Sequence, residues 1–303
     1  MLFIQRRRSL IVETPAKLNL FLEILAKRAD GFHELETLMV SVGLYDTLSF
    51  REEASGRIRL RCFAVGSNCG ANLRAADKLP TDGDNLVVRA ARLLRSHTGV
   101  SRGVRIELQK RIPAAAGLAG GSSDAAATLM ALNRFWKLDL SRDELAELAS
   151  QLGSDVPFFL CRSAVAIGRG RGEVIEPVRI PVGLYFVIVC PNDGLSTALV
   201  YQHCRPARRP RSVGALVDAL TSMRLSRAGQ LFYNGLQSAA EDLNAGVSQL
   251  CNRISRQPVL GHMMSGSGTA CFGLCENRPQ AIRVAARLRA ARIGRVFVAR
   301  CRT

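Results

Sequence analysis

The stretch IPAAAGLAGGSSDAAATLMAL, residues 112–132, decides how this chain is read. It joins the alternating segment GVRIELQKRIP, which predicts a strand, to an alanine-rich run that predicts a helix from Ser122 to Trp136. A glycine-rich turn entering a helix presents backbone N–H groups with no partner inside the helix. The helix dipole adds partial positive charge at the same end, so such a loop suits phosphate. Gly117, Gly120 and Gly121 allow close approach, and Pro113, Ala114, Ala115, Ala116, Leu118 and Ala119 complete the loop. The hydroxyls of Ser122 and Ser123 can donate to phosphate oxygens or meet a magnesium ion. No GK[ST] follows the glycines and the loop lacks GxGxxG, which disfavours the two commonest nucleotide folds.

Working outward, Leu18, Leu20, Leu22 and Ile24 alternate with Lys17, Asn19 and Glu23, so a strand here places Lys17 and Asn19 on one face; Phe21 breaks that pattern. ADGF supplies a hairpin turn with Phe32 and His33 at its exit. DNLVVRAARLLRSHTG predicts a glycine-terminated helix. Ser141 and Glu144 form a capping box ahead of a second one, with Gly153 at its end. SDVPFFL predicts a short helix capped by Ser154 or Asp155, with proline in its first turn. After a glycine-rich hairpin, two prolines in PVRIPVG mark a boundary near residues 177–183. This divides the chain into residues 1–179 and 180–303. The second part reads strand, helix, one long helix over GLQSAAEDLNAGVSQLCNRI, a hairpin over GHMMSGSGTACFGLC, helix and strand, an α+β layer with helices on one side of a sheet.

With 303 residues, 48% apolar and 22% charged, the composition is that of a globular protein of two lobes. Apolar runs such as VGLYFVIVC are too short to span a bilayer, and the N-terminus lacks the apolar core of a secretory signal, so a cytoplasmic location is expected. Nine cysteines, none in a CxxC pair, point to buried thiols in a reducing compartment rather than to disulfides or a zinc site. A formal charge of +17 suits polyanionic partners. The arginines are dispersed, densest at residues 6–8 and 205–211, and read as solvated faces rather than a nucleic-acid patch.

IPAAAGLAGGSSDAA resembles the phosphate-binding motif of the GHMP kinases, in the spelling of the branch that acts on 4-diphosphocytidyl-2-C-methyl-D-erythritol in non-mevalonate isoprenoid synthesis. PAKLNLFLEILAKRADGFHEL, GSDVPFFL and SGSGTACF resemble that branch's N-terminal signature, catalytic-aspartate segment and third glycine motif, and DNLVVRAA and STALVY stand in their expected order. Ala119 replaces a usual glycine, Ser154 a usual alanine, Phe32 a usual tyrosine, and NGLQ at 234–237 an acidic NDLE-like stretch.

The resemblance implies an α/β, two-lobed α+β fold with a ribosomal S5 domain 2-like N-terminal lobe and a ferredoxin-like C-terminal lobe. It implies ATP with Mg²⁺, Asp155 as base, Lys17 as charge stabiliser and residues 113–123 on ATP. Asn19, Phe32, His33, Tyr201, Gly266 and Gly268 would hold the substrate, a cytidine diphosphate alcohol. Taken alone, Asp155 reads as a helix cap, Lys17 as a solvent-facing strand lysine and SGSGTACF as a plain hairpin. Small-molecule partners, no membrane and a monomer or homodimer are expected. A mevalonate, phosphomevalonate or homoserine kinase, or an RNA-binding protein with an S5-like lobe, remain as alternatives.

Overall fold

The computed structural model describes residues 1–7, 9–64, 80–181 and 183–301; Arg8, Cys69 and Val182, which belong to stretches discussed above, lie outside the described residues. The chain forms two compact units. Met1–Ala16, Leu44–Ala114 and Ala119–Leu160 make the first; Lys17–Gly43, Ala115–Leu118 and Cys161–Thr303 make the second.

In the first unit, β1 (Leu2–Arg6) forms a hairpin with the start of β2 (Ser9–Lys27). The end of β3 (His33–Glu53) pairs antiparallel with β5 (Gly103–Lys110), which pairs in parallel with β4 (Ile58–Ala64). Helix α1 (Leu86–Thr98) packs on α2 (Gly120–Trp136) and α3 (Arg142–Leu152). Each helix begins and ends for a local reason. The Asn85 side chain accepts from the Val87 N–H, and Gly99 closes α1 with φ +68°. Ser141 and Glu144 form the expected capping box of α3. Helix α2 begins at Gly120, two residues before the alanine-rich run. Glycine is needed there because a Cβ on Gly120 would lie 2.8 Å from Ile112 Cγ2 and 3.0 Å from Lys110 Nζ.

In the second unit, the start of β3 pairs antiparallel with β6 (Val165–Arg169), and β6 with β7 (Val174–Val178). A separate antiparallel sheet runs in the order β10 (Gly261–Met264), β11 (Cys271–Cys275), β8 (Leu184–Cys190), β12 (Arg295–Cys301). Val187 and Val189 point to one face of β8, where they pack with Leu250 and Ile254 of α8 (Ala245–Ser255) and with Val284 and Leu288 of α9 (Arg278–Ala290). The helices therefore share one side of this sheet, as the sequence suggests.

Three details differ from the sequence reading. The long helix over residues 235–254 is two helices, α7 (Gln237–Leu243) and α8, because Asn244 is extended (φ −149°) and its side chain caps α8 by accepting from the Gly246 N–H. SDVPFFL yields only a 3₁₀ turn at Pro157–Leu160. The two-residue strand β9 (Tyr233–Asn234) runs parallel to β2, a pairing that its length hides from periodicity.

Among the described residues five cysteines are buried. Burial pushes the Cys190 and Cys301 thiols up to about 12 and that of Cys275 to about 11. No helix among the described residues is long and apolar enough to cross a membrane.

Candidate active site

Strand β2 is buried on both faces where it enters the second unit, so Lys17 and Asn19, at 3% and 2% exposure, are interior polar residues on a strand. Lys17 Nζ donates to Asn19 Oδ1, as their shared face requires. Asn19 Nδ2 in turn donates to Thr37 Oγ1 at 2.8 Å, and Thr37 donates to the Phe21 carbonyl at 2.6 Å. This chain fixes which way the Asn19 amide points, and with it the lysine.

The segment Ala115–Leu118 of the glycine loop lies against the second glycine motif. Ser265 Oγ donates to the Gly117 carbonyl at 3.0 Å, and the Ala270 N–H to the Ala116 carbonyl at 3.1 Å. A Cβ on Gly117, whose φ is +74°, would stand 2.0 Å from the Ser265 carbonyl oxygen. A Cβ on Gly266 would stand 3.1 Å from the Gly117 carbonyl and 3.3 Å from Lys17 Nζ. Close packing of two backbones, rather than a plain hairpin, explains why small residues fill SGSGTA. Asn234 secures this motif from behind: its Nδ2 donates to the Met264 and Gly266 carbonyls at 2.9 and 2.8 Å.

The hairpin between β2 and β3 turns at Asp30 and Gly31, and its exit residues differ sharply. Phe32 is 50% exposed with the Arg171 guanidinium 4.8 Å from its ring centre. His33 is buried, its ring 5.4 Å from that of Tyr201, on α4 (Thr197–His203), and its Nε2 is 3.8 Å from Cys204 Sγ. Burial, aided by the Lys27 charge, lowers the His33 pKa, so the imidazole is neutral at neutral pH.

In the first unit, α2 presents its N-terminal turn behind Ala119, itself left-handed at φ +52°. Ser123 is fully buried, and its hydroxyl donates to the Pro15 carbonyl at 2.6 Å and meets Thr14 Oγ1 at 2.5 Å. Ser122 is half-buried. Beneath the turn, Lys110 bridges two buried carboxylates, Asp46 and, at 2.8 Å, Asp124. Asp46 Oδ1 also accepts the N–H groups of Arg111 and Ile112, at 2.6 and 2.9 Å, where the chain leaves β5 for the loop. Asp155 stands half-buried in the turn closed by the Val156 N–H on the Gly153 carbonyl, just before the 3₁₀ segment.

The GHMP kinases N terminal domain matches residues 85–163, and the GHMP kinases C terminal domain matches residues 216–293. The 4-diphosphocytidyl-2-C-methyl-D-erythritol kinase of Exiguobacterium sibiricum is 40% identical over 91% of this chain and 92% of its own length. That of Pelotomaculum thermopropionicum is 42% identical over 90% of this chain and 92% of its own. The chain belongs to the 4-diphosphocytidyl-2-C-methyl-D-erythritol kinase family of GHMP kinases. A crystal structure of a 4-(cytidine 5'-diphospho)-2C-methyl-D-erythritol kinase, 35% identical, superimposes with a TM-score of 0.77 over 96% of this chain and 98% of that one. A homoserine kinase from Cytophaga hutchinsonii, 20% identical with a TM-score of 0.72 over 99% of this chain and 96% of its own, shares the fold.

Within this kinase fold the second unit brings together Lys17, Asn19, Gly117 and Gly266, and separately His33 and Tyr201, while the Phe32 ring lies against Arg171. Ser123 holds α2 to the strand carrying Thr14. Thr37, Asn234 and the Lys110 cluster were not singled out from sequence. Asn234 lies in the NGLQ stretch noted above; Thr37, Asp46 and Lys110 are strand residues whose partners are distant in sequence, and Asp124 sits in the first turns of α2.

Proposed function

We propose that this kinase transfers the γ-phosphoryl group of ATP to the 2-hydroxyl of 4-diphosphocytidyl-2-C-methyl-D-erythritol in non-mevalonate isoprenoid synthesis. The reading is carried by Lys17, a lysine 3% exposed on a strand, whose ammonium is aimed by Asn19 beside the Gly117 and Gly266 backbones. A cation fixed in this way has paid its orientation cost before a phosphoryl group arrives, which is what electrostatic stabilisation of transferring charge requires. The substrate is that of the relatives named above, and the ADGFHEL hairpin supports it.

Asp155 takes the proton of the attacking hydroxyl, and Lys17 stabilises the charge that develops. Residues 113–123 receive the ATP phosphates, the α2 N-terminus supplying N–H groups and dipole. Asn19, neutral His33, Phe32 and Tyr201 hold the cytidine head, while Gly266 and Gly268 leave room for its diphosphate. Mg²⁺ fits this arrangement through the nucleotide, because the ion keeps most of its water and needs few protein oxygens. Ser122 would meet it; the Ser123 hydroxyl is committed to Pro15 and Thr14. When bound, the ion neutralises charge on the transferring phosphate.

ADP production with ATP and Mg²⁺ tests this, comparing 4-diphosphocytidyl-2-C-methyl-D-erythritol with mevalonate and homoserine. Turnover with the cytidine compound alone, lost in Asp155→Asn, is expected. Preference for another alcohol would overturn the substrate, and an active Asp155→Asn would overturn the base.

A further inference from the structure

Phe32 is half exposed, yet its ring is not left to itself: the Arg171 guanidinium lies 4.8 Å from the ring centre. Arg171 sits in the turn between β6 and β7, and both ends of this contact are braced. The Arg171 N–H donates to Glu173 Oε2 at 2.6 Å, and its Nε reaches Glu173 Oε1 at 3.5 Å. Gly170 and Gly172, with φ of +70° and +111°, shape the turn, and the Leu35 N–H donates to the Gly170 carbonyl at 2.8 Å, tying the turn to β3. On the hairpin, Arg28 pairs with Asp30 and Glu34 at 3.1 and 2.7 Å, and Asp30 Oδ1 accepts the Phe32 N–H at 3.1 Å. An exposed aromatic side chain ordinarily samples several rotamers. Here a planar cation, itself oriented by a carboxylate, occupies one flank of the ring.

We propose that Arg171 is a positioning residue for base recognition: it holds one flank of Phe32 so that the rest of the exposed ring is a preset stacking surface for the cytosine of the substrate. This rests on the reading of the substrate given above. Of the rings assigned to the cytidine head Phe32 is the most exposed: His33 is buried, and its ring lies 5.4 Å from that of Tyr201, tilted by 33°. Preorganisation of one aromatic side chain lowers the ordering cost of binding and leaves the phosphoryl-transfer step untouched, so the effect belongs in KM for the cytidine substrate. Arg171 acts through Phe32, and lysine, which keeps the charge but loses the planar guanidinium, is a poor replacement.

The test uses Arg171→Ala, Arg171→Lys, Phe32→Ala and the double variant Phe32→Ala/Arg171→Ala. Steady-state constants for 4-diphosphocytidyl-2-C-methyl-D-erythritol and ATP are measured together with direct binding of CDP. Both Arg171 variants are expected to raise KM for the cytidine substrate and Kd for CDP by roughly three- to tenfold, with kcat and KM for ATP within twofold of the parent. The double variant is expected to be no weaker than Phe32→Ala alone. Unchanged CDP affinity in Arg171→Ala, full retention by Arg171→Lys, or additive losses in the double variant would each overturn the proposal; additive losses would mean that Arg171 meets the ligand directly. If the parent protein binds CDP but does not phosphorylate the cytidine substrate, the substrate reading fails, while the CDP series still decides the role of Arg171.

Discussion

The Ser265 hydroxyl donates to the carbonyl of Gly117 at 3.0 Å, and the same glycine has no space for a Cβ, which would stand 2.0 Å from the Ser265 carbonyl oxygen. Two glycine-rich motifs 148 residues apart thus share one backbone contact. Gly117→Ala is therefore expected to disturb both. The positive φ alone costs about 1 kcal/mol and the clash adds to it. Thermal unfolding should report a loss of more than about 2 kcal/mol, and KM for ATP should rise; a variant with parental stability would show that the two motifs can part freely.

Lys17→Met keeps the volume of an interior side chain and removes its charge. With one stabilising cation lost, kcat is expected to fall by about 10² to 10³ while KM for ATP changes little. Single-turnover phosphoryl transfer measures this directly. A fall confined to KM would place Lys17 in ground-state binding.

Ala119 is in the left-handed region at φ +52°, a conformation that costs a side-chain-bearing residue energy and glycine none. Ala119→Gly is expected to relieve about 1 kcal/mol of backbone strain, partly offset by the greater freedom of glycine in the unfolded chain. Denaturant unfolding should show a small gain or no change. A clear loss would mean that the Ala119 methyl contributes packing that outweighs its strain.

The fold was legible wherever a periodic pattern ended in a recognisable cap. Asn85 and Gly99, or Ser141 and Glu144, mark helix ends by chemistry that works over a few residues. Asn244 was missed because the helical pattern is apolar on both sides of it, and only its extended backbone reveals two helices. The glycine loop was legible through backbone needs. The support behind the loop was not: the bonds from Ser123 to Pro15, from Asn234 to Gly266 and from Lys110 to Asp46 join residues far apart in sequence. At the end of the Arg/Pro run at 205–211, Arg211 likewise makes long-range contacts: its N–H donates to Glu23 Oε2 at 2.9 Å and its guanidinium lies 4.2 Å from the Tyr233 ring centre.

Asp124 gives the protein a defined pH response. Burial is the main force raising its pKa, to about 7; Lys110 opposes it and the charge of Asp46 adds to it. Burial works against the charge of Lys110 too, but the two carboxylates raise its pKa above the ordinary value, so the ammonium persists on either side of neutrality. A raised carboxyl pKa means that the folded state holds a proton the unfolded chain has released. The resulting stability is complete below about pH 4 and is lost as pH rises toward 7, at up to about 1.4 kcal/mol per pH unit. Asp124→Asn imitates the protonated form. Its unfolding temperature is expected to change less between pH 5 and pH 8 than that of the parent, a comparison for calorimetry at matched ionic strength. Parallel curves would show that Asp124 ionises in the folded protein as easily as in the unfolded chain.

Cys204, half-buried at the end of α4 with its sulfur 3.8 Å from His33 Nε2, has a further use. Its thiol is raised above the ordinary value by burial, so little thiolate is available to dissolved alkylating agents. A cytidine analogue seated beside His33 would present a mild electrophile at very high local concentration. Inhibitor selectivity would then rest on proximity rather than on intrinsic thiol reactivity, and kinases of the same fold without a cysteine there would be spared.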